Sequence, residues 1–106
     1  MIARIWYGCT NPHNADTYEA LLKNEIFPAI VARNISGFMR IELLRGPLED
    51  EVEFATVMWF DSLASVKAFA GADYETAVVL PKTRALLKRF DARCRHYEVR
   101  ERRDAN

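Results

Sequence analysis

Apolar and polar residues alternate from Ile2 to Cys9, the period of a strand, until Thr10-Asn11-Pro12-His13 marks a turn. Asn14 is suited to an N-cap, and Tyr18, Leu21, Leu22, Ile26 and Ala29 then recur at helical spacing. Pro28 removes one backbone donor, which predicts a kink or restart near Phe27, and the helix should end before Ser36-Gly37. Two further strands are expected at Phe38–Arg45 and Val52–Phe60, joined by a loop holding Gly46-Pro47 and Glu49-Asp50-Glu51. Asp61 or Ser62 caps a second helix carrying Leu63, Val66, Phe69 and Ala70, interrupted at Gly71. A continuation from Asp73 through Val78, stopped by Pro81, and a short helical turn near Leu86-Leu87 are expected before a last strand over Phe90–Val99.

This order predicts an α+β domain of the ferredoxin-like kind, β-α-β-β-α-β. It would have a four-stranded antiparallel sheet and both helices on one face. Residues 1–99 form the domain, and 100–106 form a polar tail.

Alternation along the strands sorts the residues into two sets. Ala3, Ile5, Tyr7, Cys9, Met39, Ile41, Leu43, Ala55, Val57, Trp59, Cys94 and His96 form the set expected beneath the helices. The other set holds Arg4, Trp6, Phe38, Leu44, Phe54, Met58, Phe60 and Tyr97. In a monomer these large side chains would face water as a contiguous patch, so a homodimer packed through Trp6, Phe38, Phe54, Met58, Phe60 and Tyr97 is expected. The alternative is a half-solvated face with scattered aromatics.

Composition adds limits. At 106 residues, with 50% hydrophobic and 28% charged, the chain suits one globular domain. No apolar run approaches the roughly 20 residues that span a bilayer, and a cytoplasmic protein without membrane contact is the expectation. The net charge is zero, but residues 1–81 hold 6 basic and 11 acidic residues, and residues 82–106 hold 9 and 4. The basic residues of the C-terminal quarter alternate with acids and no aromatic series accompanies them, so no nucleic acid is expected. Cys9, Cys94, His13 and His96 form no metal-type spacing, and no glycine-rich phosphate loop is present. The two cysteines are expected to lie close together on neighbouring strands and to be reduced.

Four stretches carry a resemblance: Met1-Ile2-Ala3-Arg4-Ile5-Trp6, Trp59-Phe60-Asp61-Ser62, Ala68-Phe69-Ala70-Gly71 with Asp73-Tyr74-Glu75, and His96-Tyr97-Glu98-Val99. Over residues 1–99 the chain resembles the antibiotic biosynthesis monooxygenase family of dimeric α/β barrels. The resemblance implies a dimer whose sheets pack face to face, with a pocket in each monomer between sheet and helices. Trp59 matches a pocket tryptophan of that family. The haem-degrading branch places an iron-ligating histidine on the second helix; Tyr74–Pro81 holds none, and Tyr7 stands where those enzymes carry a polar amide. No cofactor and no metal are expected.

Tyr7 and His96 are the candidate catalytic residues, and Trp59 and Tyr74 the candidate substrate-binding ones. His96 can serve as acid, base or donor near neutral pH, or as a satisfied core histidine. Tyr7 can orient a phenol or be a half-buried strand tyrosine, Trp59 can line a pocket or fill the core, and Tyr74 can close the pocket or cap the surface. The resemblance implies a cofactor-independent monooxygenase acting on a small aromatic or polyketide-like substrate. The alternatives are a non-catalytic small-molecule-binding or structural dimer and a non-oxidative isomerase or lyase.

Overall fold

Strand β1 (Ile2–Thr10) is the central element of the sheet, because it pairs with three of the other four strands. On one side it runs antiparallel to β3 (Val52–Phe60), which pairs in turn with β2 (Phe38–Pro47). On the other side it meets β4 (Leu87–Phe90) through Gly8–Thr10 and β5 (Arg95–Glu98) through Ile2–Ile5. The result, in a computed structural model describing residues 1–106, is an open, all-antiparallel sheet of five strands in an α+β domain.

The expected last strand is therefore two strands. Between them, Cys94 N–H donates to the Glu75 carbonyl (2.7 Å) and Ala77 N–H donates to that of Ala92 (2.9 Å). The chain between β4 and β5 pairs with the 75–77 segment rather than with β1. This also corrects the second half of the second helix. Helix α3 (Leu63–Ala70) starts at Ser62, whose Oγ accepts from Ser65 N–H, and ends at Gly71 with φ +88°. Beyond it, residues 77–80 form no helix and Leu80 is extended (φ −67°, ψ 149°), consistent with the β-branched pair Val78-Val79 ahead of Pro81. The next helical turn, α4, lies at Pro81–Arg84, earlier than Leu86-Leu87.

After a 3₁₀ turn at Pro12–Asn14, the first helix runs as α1 (Ala15–Leu21), a π turn (Leu22–Ile26) and α2 (Phe27–Ala32). Pro28 cannot donate to the preceding turn, and the helix absorbs this by lengthening its ladder, so that Phe27 N–H reaches the Leu22 carbonyl. The restart at Phe27 is where the proline predicts it.

Register decides what lies under these helices, since residues opposite one another on antiparallel strands share a face. Arg4 faces Met58, Trp6 faces Thr56, Gly8 faces Phe54, and Ile41 faces Met58. This is the covered face. Tyr18 of α1 packs edge-on against Phe54 with ring centres 4.8 Å apart. Phe60 and Met58 cluster with Val66 of α3. The expected phase of β1 and β3 is thus reversed, while Ile41, Leu43, Cys94 and His96 do lie on the helix side. Trp6, Phe38, Phe54, Met58 and Phe60 belong to the core and cavity, not to an outer patch; of the six expected interface residues, only Tyr97 lies on the bare face. The inner side of β1 and β3 carries Arg4, Thr10 and Thr56, and that polarity reads as an outward face.

The bare face instead holds Ala3, Ile5, Tyr7, Cys9, Val57, Trp59, Leu44 and Tyr97. Cys9 and Cys94 are both free and buried, but they lie on opposite faces rather than side by side. Residues 100–106 form no secondary structure and are exposed. No helix is long and apolar enough to cross a membrane.

Candidate functional site

Between the covered face and the helices lies a cavity of about 350 Å³. Its floor is Arg4, Trp6, Thr56 and Met58 of the sheet; the π turn and α2 form one wall, Phe69 of α3 another, and the 77–80 segment runs across it. Of its 20 lining residues 16 are hydrophobic and none is acidic. The helix irregularity and the broken second helix are thus both cavity-forming: one turns Leu22, Ile26 and Phe27 onto the sheet, and the other replaces helix with a strap.

Gly8 shapes the same floor. A Cβ there would meet Leu87 Cδ2 at 3.0 Å and the Trp6 ring at 3.2 Å, so only glycine lets the indole lie along the strand. Trp6 Nε1 donates to the Asp91 carbonyl at 2.7 Å, which ties the cavity floor to the chain linking β4 and β5.

The one charge buried in this space is Arg4, 6% exposed. Its Nη1 donates to the Tyr74 carbonyl and lies 3.1 Å from His96 Nε2. A guanidinium can only donate, so Nε2 accepts and the imidazole is neutral, with its proton on Nδ1. Burial, with the Arg4 charge behind it, holds His96 below its usual pKa, while Glu75 opposes. Burial also lowers the pKa of Arg4 and raises that of the Cys94 thiol. Tyr18 is 1% exposed, its hydroxyl makes no hydrogen bond within the protein, and burial pushes its pKa up to about 12. It lines the cavity as a neutral donor.

Of the four residues expected at the site, the structure brings together two. Tyr74 and His96 meet edge to face with ring centres 5.0 Å apart, and both hold Arg4. Neither lines the cavity itself. Tyr7 and Trp59 lie on the opposite side of the sheet, because they share the strand phase of Ile5 and Val57. There, Trp59 donates to Glu42 (2.6 Å) beneath the guanidinium of Arg40, and Tyr7 borders an open, mostly polar depression with Glu53, Arg89 and Arg95. Arg4 and Tyr18 are the polar cavity-lining residues that sequence reasoning missed. The available signal was an arginine in the middle of an otherwise apolar central strand. No cluster of three or more metal-ligating side chains is present.

No family model and no curated protein matches the sequence. Solved structures do. A Bacillus cereus protein described as an antibiotic biosynthesis monooxygenase superposes with a TM-score of 0.66 at 14% identity, over 98% of this chain and 97% of that one. SnoaB, a cofactor-independent oxygenase from Streptomyces nogalater, gives 0.59 at 22% identity, over 95% and 94%. The fold is the one these two proteins share. It is the antibiotic biosynthesis monooxygenase-like, ferredoxin-type fold, present from end to end.

Proposed function

We propose that this chain is a cofactor-independent monooxygenase that oxidises a small aromatic or polyketide-like substrate in the cavity between its sheet and helices. The observation that carries the reading is the cavity itself, an apolar space with a single buried cation at its floor. An electron-rich phenol or enol supplies its own reducing power in such chemistry. Loss of a proton gives an oxyanion, the anion passes an electron to dioxygen, and recombination forms a carbon–oxygen bond. For an activated methylene the overall change is one dioxygen consumed, one carbonyl formed and one water released. A dry pocket protects the radical pair, and a fixed cation stabilises the oxyanion. The likeness to SnoaB, a cofactor-independent oxygenase, supports this reading at the level of fold.

The test is oxygen uptake with a panel of hydroquinones and anthrones. Stoichiometric uptake with quinone formation is expected; substrate binding without uptake refutes the reading. One observation favours a second reading, binding without turnover. No acidic side chain lines the cavity, and the lone pair of His96 Nε2 already faces Arg4, so no group there is free to take a proton. An oxygenase built this way depends on the substrate ionising by itself, and only substrates acidic enough to do so near neutral pH should turn over.

The assembly belongs to the same proposal. The bare face is apolar across its middle, Leu44 and Tyr97 are 52% and 50% exposed, and Arg40, Glu42, Glu53 and Arg95 lie around it. A second copy, turned about a twofold axis, would cover the apolar centre and set this mixed charge against itself.

A further inference from the structure

We infer that the ligand of the cavity is bound as an oxyanion, a planar apolar molecule whose phenolate, enolate or carboxylate oxygen is held by Arg4. This deepens the cavity reading above and does not require that the ligand be oxidised. A buried guanidinium keeps its charge and ordinarily faces a carboxylate, because an unpaired buried charge is costly. Arg4 faces none. It makes no ion pair, and its only hydrogen-bonding atom is Nη1, which leaves the donors on Nη2 and Nε unused. The second cation of the lining, Arg33, stands 4.8 Å from the centre of the Phe69 ring, and Arg4 stands 5.7 Å from the same ring. Two guanidinium groups thus flank one end of a lining that contains no acid.

The anchors make the arrangement directional. The Tyr74 carbonyl and the neutral His96 ring both hold Nη1, so the guanidinium is fixed from behind. His96 is a positioning residue here. At the far end, Tyr18 packs on Phe54, opposite Gly8 on β1 and four residues from Arg4. That is about 13 Å of strand. Its unpaired hydroxyl offers the cavity a neutral donor. The lining therefore suits a planar apolar molecule with an ionised oxygen on Arg4, and Tyr18 supplies a second, neutral donor.

Calorimetry on the intact protein with 2-naphthoate and its neutral isostere 2-naphthamide tests the inference for carboxylates. A charge-assisted contact should favour the acid by roughly 10–100-fold. Titration of 4-nitrophenol, whose phenolate absorbs apart from the phenol, tests it for hydroxyaromatics: saturating protein should lower its apparent pKa. In Arg4→Met the preference should fall to within about twofold while the amide still binds. Equal affinity for acid and amide in the unmodified protein, no binding of either, a raised 4-nitrophenol pKa, or a preference that survives in Arg4→Met each overturns the inference. The first two comparisons use only the unmodified chain, so they stand even where the variant fails to fold. Acid preference without oxygen uptake would sink the oxygenase reading and keep this one; uptake with no acid preference would do the reverse.

Discussion

The two faces of the sheet are built from similar residues and do opposite work. The covered face carries Trp6, Phe54, Met58 and Phe60, and spends one position on Arg4. The bare face carries smaller residues, Ala3, Ile5, Cys9, Ala55 and Val57, with Tyr7, Trp59 and Tyr97 among them. Large rings fill the space beneath helices that stand off the sheet, and where they stop, the cavity remains. Small residues make a flat surface, which suits a sheet approaching its own copy. Apolar content does not distinguish the faces. The one buried cation, placed where no carboxylate answers it, does.

The comparison breaks most sharply at Phe60, which is fully buried. Phe60→Ala should cost about 3–5 kcal/mol in urea unfolding, and Trp59→Ala, one residue away on the other face, should cost the monomer fold less than about 1 kcal/mol, since Trp59 is only partly buried and packs against the exposed Arg40 and Glu42. Comparable losses in both would mean that the faces are not distinct. Assembly should show the opposite pattern. Tyr97→Asp or Leu44→Asp should weaken a dimer by about 2 kcal/mol, the scale of a central interface residue, and should halve the mass seen by light scattering while leaving the far-ultraviolet circular dichroism unchanged. A monomeric parent chain would remove the interface altogether.

Much of the fold was legible because it rests on local signals: period-2 runs, the Ser62 cap, the Gly71 stop and the Pro28 restart. What failed was phase. In β1, inward Arg4 and Thr10 stand beside outward Ile5 and Tyr7, so alternation alone chooses the wrong side. Pairing would have corrected it, because Ile41 and Met58 are partners and share one face. The site inherited the same slip, since Tyr7 and Trp59 moved with their strands. His96 and Tyr74 stayed near the site because the 75–77 segment pairs with the chain that leads into β5. No periodicity announces that 77–80 is not helical, because its pairing partner at Ala92 lies beyond the next helix.

A smaller test concerns α3, which closes the Phe69 wall of the cavity. Ser62 Oγ accepts from Ser65 N–H at 3.2 Å, so Ser62→Ala should cost about 1 kcal/mol in thermal unfolding. The bare face should not register the change, and dimer mass should be unaltered. Loss of the dimer in this variant would show that the two faces are coupled through the sheet.

The smallest expected effect is a slope. His96 is neutral against Arg4 and its pKa in the folded chain lies below the ordinary 6.5, first through burial and then through the Arg4 charge. The unfolded chain therefore takes up a proton at higher pH than the folded one. In that interval the unfolded state binds more protons, so stability rises with pH and falls as pH drops from about 6.5 toward the folded value. A protonated His96 could no longer accept from Arg4 and would set two cations 3.1 Å apart beside the cavity. The lowered carboxylates Glu19, Glu42, Glu51 and Asp61 act in a separate window, since the stability they supply is lost only below their unfolded values of 4.5 and 3.8. Urea midpoints at several pH values between 5 and 7 isolate the histidine. His96→Gln keeps an acceptor for Arg4 and cannot ionise, so its profile should be flatter than that of the parent over this range. An unchanged slope would mean that Arg4 does not hold His96 neutral, and the fixed guanidinium of the proposed anion site would lose one of its two anchors.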